Sequence, residues 1–162
     1  MTNDHEKASA VTDGELFQLL AENLADHAVV VLDCDRRVRT WPRSAERLFG
    51  YSREEMEGRS ADVLLTPDDI ATGVPEREIT AALAAGAQTE NRWHVRRDGT
   101  RFWGSGQIFA LRDGAGNVRG LAQIIRDRTD LKRAEDQLAD RIQEAEKRRR
   151  LYEGRFPEAD VG

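Results

Sequence analysis

The hydrophobic period of this chain changes near Asn91, and that change constrains the fold more than any other feature. From there Trp93 and Val95 alternate with Arg92, His94 and Arg96, the spacing of a half-buried strand rather than a helix. Asp98-Gly99 then supplies a hairpin turn before Phe102-Trp103, and the turn-rich run Arg112 to Asn117 supplies a second. Three antiparallel strands are therefore expected over 90–97, 100–111 and 117–126. Earlier, the β-branched run Val29 to Leu32 and the segment Val38 to Trp41 flank Asp33-Cys34-Asp35-Arg36 and read as a hairpin that Pro42 stops. The order along the chain is therefore two strands, a run of helices and three antiparallel strands, an α+β pattern.

The helices announce themselves by their caps. Thr12 and Glu15 form a capping box at the start of an amphipathic helix over 13–26, in which Leu16, Leu19, Leu20 and Leu24 share a side with Phe17 nearby. Ser44 to Gly50 and Ser52 to Gly58 make two short helices, the second with its own Ser52/Glu55 box. Pro67 opens another turn, and Glu76 to Ala85 makes a longer helix that Gly86 ends. Asp130 to Tyr152 contains neither glycine nor proline, and Leu131, Leu138, Ala145 and Tyr152 recur at heptad spacing with Ile142 between them. Arg149 falls on that seam and weakens its far end. The expected layout is a disordered N-terminus over 1–12, a cap helix over 13–26, a globular domain over 27–129, a coiled-coil helix over 130–153 and a disordered tail over 154–162. Leu16, Leu20 and Leu24 on one helix and Leu131, Leu138 and Ile142 on the other form apolar stripes that call for a homodimer.

Composition removes several classes of function. The 162 residues fit one domain on a scale of about 100–200 residues each, so a second catalytic domain has no room. Thirty acidic against 25 basic residues argue against nucleic acid as a partner. Lys147 to Arg150 fall in the last turns of a helix, where cations complement its dipole. A lone cysteine, Cys34, builds neither an internal disulfide nor a metal site, which suits a reducing cytoplasm. The longest apolar run, Ala28 to Leu32, is far below the roughly 20 residues of a membrane span.

Three segments carry a family resemblance. Trp41 to Gly58, with its tryptophan, Ala45-Glu46, Phe49-Gly50-Tyr51 and Glu57-Gly58, resembles the first conserved block of PAS domains, and Arg97 to Trp103 resembles the second. Asp127-Arg128-Thr129 keeps the terminal Asp-x-Thr that joins the last strand to the output helix in that family. The resemblance covers roughly 14–135 and implies the PAS fold: a five-stranded antiparallel sheet with short central helices on one face, an N-terminal amphipathic helix and a C-terminal coiled-coil helix. Two positions depart from the pattern. Pro42 stands where asparagine is usual, and Arg36 stands where a turn glycine is usual, a place a type I turn fills without a left-handed backbone.

The resemblance also implies a cavity between the central helix and the sheet, around which Ile79, Leu83, Trp93, Phe102, Trp103 and Phe109 are expected. Its occupant stays open: Ala61 stands where flavin photosensors carry the adduct-forming cysteine, and the 72–85 helix holds no histidine for haem, so a non-covalent flavin or another small ligand remains. His94, opposite in phase to Trp93 and Val95, is expected to face solvent or the flanking helices; His27 and His5 offer less. No nucleophile-base arrangement or phosphate-cradling loop has supporting context, so no enzymatic activity is expected. Asp127 and Thr129, at a strand-to-helix junction, are the residues expected to set the angle of the outgoing helix. The implied function is a sensory and dimerisation module of two-component signalling that acts on an output domain through its C-terminal helix. The alternatives are a protein-protein adaptor with a packed pocket, or the N-terminal sensory fragment of a histidine kinase or cyclase.

Overall fold

A computed structural model describes residues 11–155. The terminal segments expected to be disordered lie outside that range, save for Val11 and Thr12 and for Gly154 and Arg155, the last two of which are helical. The chain divides after Asp127 into two units.

The first unit runs α1 (Asp13–Asn23), β1 (His27–Leu32), β2 (Val38–Thr40), α2 (Arg43–Phe49), α3 (Arg53–Met56), a 3-10 turn at Ala61–Leu64, α4 (Pro67–Ala71), α5 (Val74–Ala85), β3 (Ala87–Val95), β4 (Arg101–Arg112) and β5 (Val118–Asp127). Five strands make one antiparallel sheet in the order β2-β1-β5-β4-β3, the α+β architecture expected. β1 lies beside β5, so the hairpin at the start of the chain completes the sheet begun by the three strands at its end. The core fills the space between one face of that sheet and α2, α3, the 3-10 turn and α5. Ala28, Val30, Leu32, Phe102, Ile108, Leu121 and Ile125 come from the strands, and Ala45, Phe49, Met56, Leu64 and Ala82 from the helical side. Trp41 is fully buried against Phe49, and its indole Nε1 donates to the Tyr51 carbonyl at 2.9 Å, which satisfies the one polar atom a buried tryptophan carries.

Both capping boxes form, Thr12 with Glu15 and Ser52 with Glu55. Pro42 caps α2 without a side-chain acceptor. Glu22 of α1 supplies it instead, accepting from the Arg43 backbone N–H at 2.6 Å while pairing with Arg53 at 2.7 Å. This ties α1 to the start of α2. α1 stops at Asn23, whose side-chain amide donates to the Leu19 carbonyl, and Leu24 is extended rather than helical.

Arg36 corrects the sequence reading. Its φ is +63°, the one left-handed non-glycine among the described residues, so the turn does require the conformation that glycine favours. An arginine held there costs on the order of 1–2 kcal/mol, and strain of this kind persists where the surroundings over-determine it.

The second unit is a single helix, α6 (Thr129–Arg155), 27 residues long with no buried side chain. It begins at Thr129, one residue before the expected start.

Candidate functional site

Strand alternation puts Glu90, Arg92 and His94 of β3 on the inner face of the sheet, all buried. This reverses the expected phase. His94 is 1% exposed, not turned to solvent, and Asn91 and Trp93, which alternate with the three, face outward. Trp93 and Trp103 pair across β3 and β4 on that outer face, their rings edge to face at 5.4 Å, and Phe109 follows further along β4 on the same side. These three do not line the inner cavity. Leu83 is largely exposed on α5. Ile79 does line the cavity, and Phe102 is buried beside it with its ring stacked on His94 at 5.3 Å.

Arg92 holds the polar cluster together. Its Nε donates to Glu90 Oε1 at 3.2 Å, Nη2 meets Glu78 on α5, and Nη1 lies 3.4 Å from Asp69 on α4. Gln123 of β5 donates to the other Glu90 oxygen. One guanidinium thereby joins the sheet to both helices above it. Burial pushes the Glu90 carboxyl up to about 7, the Gln123 hydrogen bond resisting and the Asp69 charge adding to the rise. Burial and the Arg92 charge push His94 down to about 3, with the Leu64 carbonyl opposing weakly. At neutral pH the imidazole is therefore uncharged and the carboxyl sits near its midpoint.

Above the cluster is a cavity of about 40 Å³ lined by polar groups, Arg36, Asp62, Glu78, Glu90, His94 and Gln123, against an apolar floor that includes Leu32 and Ile108. Arg36 enters from its strained turn and donates to Asp62 Oδ2 at 2.9 Å. Ala61 also lines this space. Gly104 of β4 makes room for the imidazole: a Cβ there would stand 2.5 Å from His94 Cδ2 and 2.8 Å from Nε2. A mid-strand glycine marks close approach of another group, and it was the sequence signal for His94 that the charged pattern of β3 concealed.

At the end of the sheet, Asp127 Oδ2 accepts from Arg96 at 2.9 Å. Arg96 also donates to the Leu48 carbonyl at 2.7 Å and lies 4.5 Å above the Phe102 ring. Thr129 is the first residue of α6. Of the residues expected at a dimer interface, Leu16, Leu20, Leu131, Leu138 and Ile142 are exposed and Leu24 is half-buried. Cys34 is exposed. Among the described residues no group of three or more metal-ligating side chains gathers, and no helix is long and apolar enough to cross a membrane.

A family model described as the PAS fold matches residues 22–133. The chain is 33% identical over 121 residues, 75% of its length, to two-component system protein A of Emericella nidulans, and 28% identical over 151 residues, 90% of its length, to the cell-division control histidine kinase PdhS of Brucella ovis. It spans only 18% and 14% of those two proteins. Among solved structures it is similar to a PAS domain from Colwellia psychrerythraea, with a TM-score of 0.65 at 24% identity covering 73% of this chain and 99% of that one. An RNA-binding light-oxygen-voltage receptor gives a TM-score of 0.67 at 24% identity over 88% of this chain and 40% of that one.

Proposed function

This chain belongs to the PAS family, and from that premise we propose that it is a non-enzymatic sensory and dimerisation module that passes a change in its cavity into the helix following Asp127. One observation carries the reading. A run of contacts leads from the cavity to the end of the sheet: His94 stacks on Phe102, Arg96 lies over Phe102, and Arg96 holds Asp127. A ligand that displaces His94 therefore acts on the residue from which the chain leaves the domain. The relatives are two-component proteins of which this chain matches a small part, which favours a sensory segment working on a histidine kinase output over a free-standing adaptor.

The test is a fusion of this chain to a kinase output in matching heptad register. Activity should vary with the helical phase of the junction, and Asp127→Ala with Thr129→Ala should flatten that variation while leaving the fold intact, because polar side chains at a helix start are worth about 0.5–2 kcal/mol. Arg96→Met should act in the same direction. Full regulation in the double variant at normal expression would make the junction a mere linker.

A further inference from the structure

Four buried side-chain atoms lack a well-aligned hydrogen-bond partner among the described residues: Arg36 Nη1, Asp62 Oδ1, His94 Nδ1 and His94 Nε2, the Leu64 carbonyl approaching the imidazole without that alignment. They belong to three residues, and all three line the same cavity. Arg36 Nη1 stands 3.1 Å from Glu76 Oε1 without the alignment of a hydrogen bond, and Glu76 is itself mostly in solvent. Buried polar groups are almost always paired, so four such atoms around one space point to an occupant.

Their chemistry specifies what it must offer. The arginine nitrogen only donates, a carboxylate oxygen only accepts, and a neutral imidazole does one of each. His94 is held neutral by its burial. A carboxylate would satisfy Arg36 Nη1 and leave Asp62 Oδ1 without a donor, and an ammonium or amidinium would do the reverse; each buried polar atom left so is costly. A group with donor and acceptor side by side and no net charge satisfies both. The size is also set: about 40 Å³ is room for roughly three waters at 10–15 Å³ each, or three to four non-hydrogen atoms.

We propose that the cavity bounded by Arg36, Asp62 and His94 binds a small uncharged molecule, or the uncharged head of one, of the carboxamide class. This rests on the sensory reading above and names its ligand chemistry. The backbone of Arg36 supports it independently, since a strained left-handed arginine places its guanidinium in this cavity where a glycine would have fitted the turn.

Three probes of nearly equal shape decide the matter: acetamide, acetate and acetamidinium, titrated separately into the 162-residue chain at pH 6 and constant ionic strength. Backbone amide resonances of the 61–65 and 92–95 segments are followed. Acetamide should give saturable shifts there, with an affinity at least tenfold above either charged analogue. Asp62→Asn replaces the obligate acceptor by an amide that donates as well, so in that variant the preference for acetamide over acetate should fall to within about twofold. Comparable or tighter binding of acetate or acetamidinium by the wild type overturns the proposal. So does the absence of a saturable acetamide shift, which would leave water as the occupant, and so does a preference unchanged in a folded Asp62→Asn. The wild-type arms decide without any variant. A negative result leaves the sensory reading to the fusion assay, and a flat fusion assay leaves this binding result standing.

Discussion

Glu90 and His94 lie 3.6 Å apart and make opposite contributions to stability across the same pH range. Glu90 is raised from 4.5 to about 7, so between those values the folded state holds a proton that the unfolded chain releases, and stability falls as pH rises. His94 is lowered from 6.5 to about 3, so between those values the unfolded chain holds the extra proton, and stability rises with pH. From pH 4.5 to 6.5 the two slopes oppose each other in the wild type. Glu90→Gln should unmask the histidine, giving a stability that climbs from pH 3 to 6.5, whereas His94→Phe should unmask the carboxyl and give one that declines from pH 4.5 to 7. Each difference should reach on the order of 1–3 kcal/mol. Urea denaturation at closely spaced pH values measures them, and parallel curves for wild type and Glu90→Gln would mean that Glu90 titrates normally. The same imidazole fixes Gly104. A methyl at that position meets the His94 ring well inside van der Waals contact, so Gly104→Ala should cost about 1–3 kcal/mol. In a His94→Ala background most of that cost should vanish, and an additive double-mutant cycle would contradict the contact.

At the scale of the element, β3 shows what the sequence revealed and what it hid. Its existence, its alternation and its turn into β4 were legible, as were both capping boxes, because each rests on residues close in sequence. Which face points inward was not. Alternation states that Glu90, Arg92 and His94 share a side and that Trp93 faces away from them, and hydropathy then favours the tryptophan for the interior. Contacts with distant segments overrule it: Gly104 on β4 leaves room for the inward His94 imidazole, and Asp69 and Glu78 arrive from distant helices to receive the arginine. Arg36 was misread for a similar reason, since the guanidinium it carries from a left-handed backbone is tied to Asp62, 26 residues on. Arg92 is thus the seam between the strand and α4 with α5. Arg92→Met should leave the Glu78 and Glu90 carboxyls short of a partner at a cost of about 3–5 kcal/mol, of the size seen when one member of a buried pair is removed. Hydrogen exchange should quicken in 67–85 well before β5. Equal loss of protection in helices and sheet would make Arg92 a support of the whole core instead.

For the whole molecule, the proposed dimer has two candidate surfaces. One is the pair of apolar stripes: Leu16 and Leu20 on α1, and Leu131, Leu138 and Ile142 on α6, each about half exposed or more. The other is the outer face of the sheet, where Trp93 and Trp103 stand instead of in the cavity. The stripes are the stronger candidate. A 27-residue helix with no buried side chain gains little from propensity alone, and a heptad seam is what would stabilise it. Lysines at these positions touch no core residue, so they separate assembly from folding. Leu138→Lys with Ile142→Lys removes two large apolar side chains from each of two protomers, a loss on the order of 6 kcal/mol and hence about ten-thousandfold in dimer Kd. Sedimentation equilibrium at micromolar concentration should then report a monomer, while thermal unfolding of the sheet domain shifts only by the loss of association. Leu16→Lys with Leu20→Lys should weaken the dimer in the same sense. Should both double variants sediment as the wild-type dimer, the tryptophan face is the interface, and Trp93→Ser becomes the substitution that dissociates it.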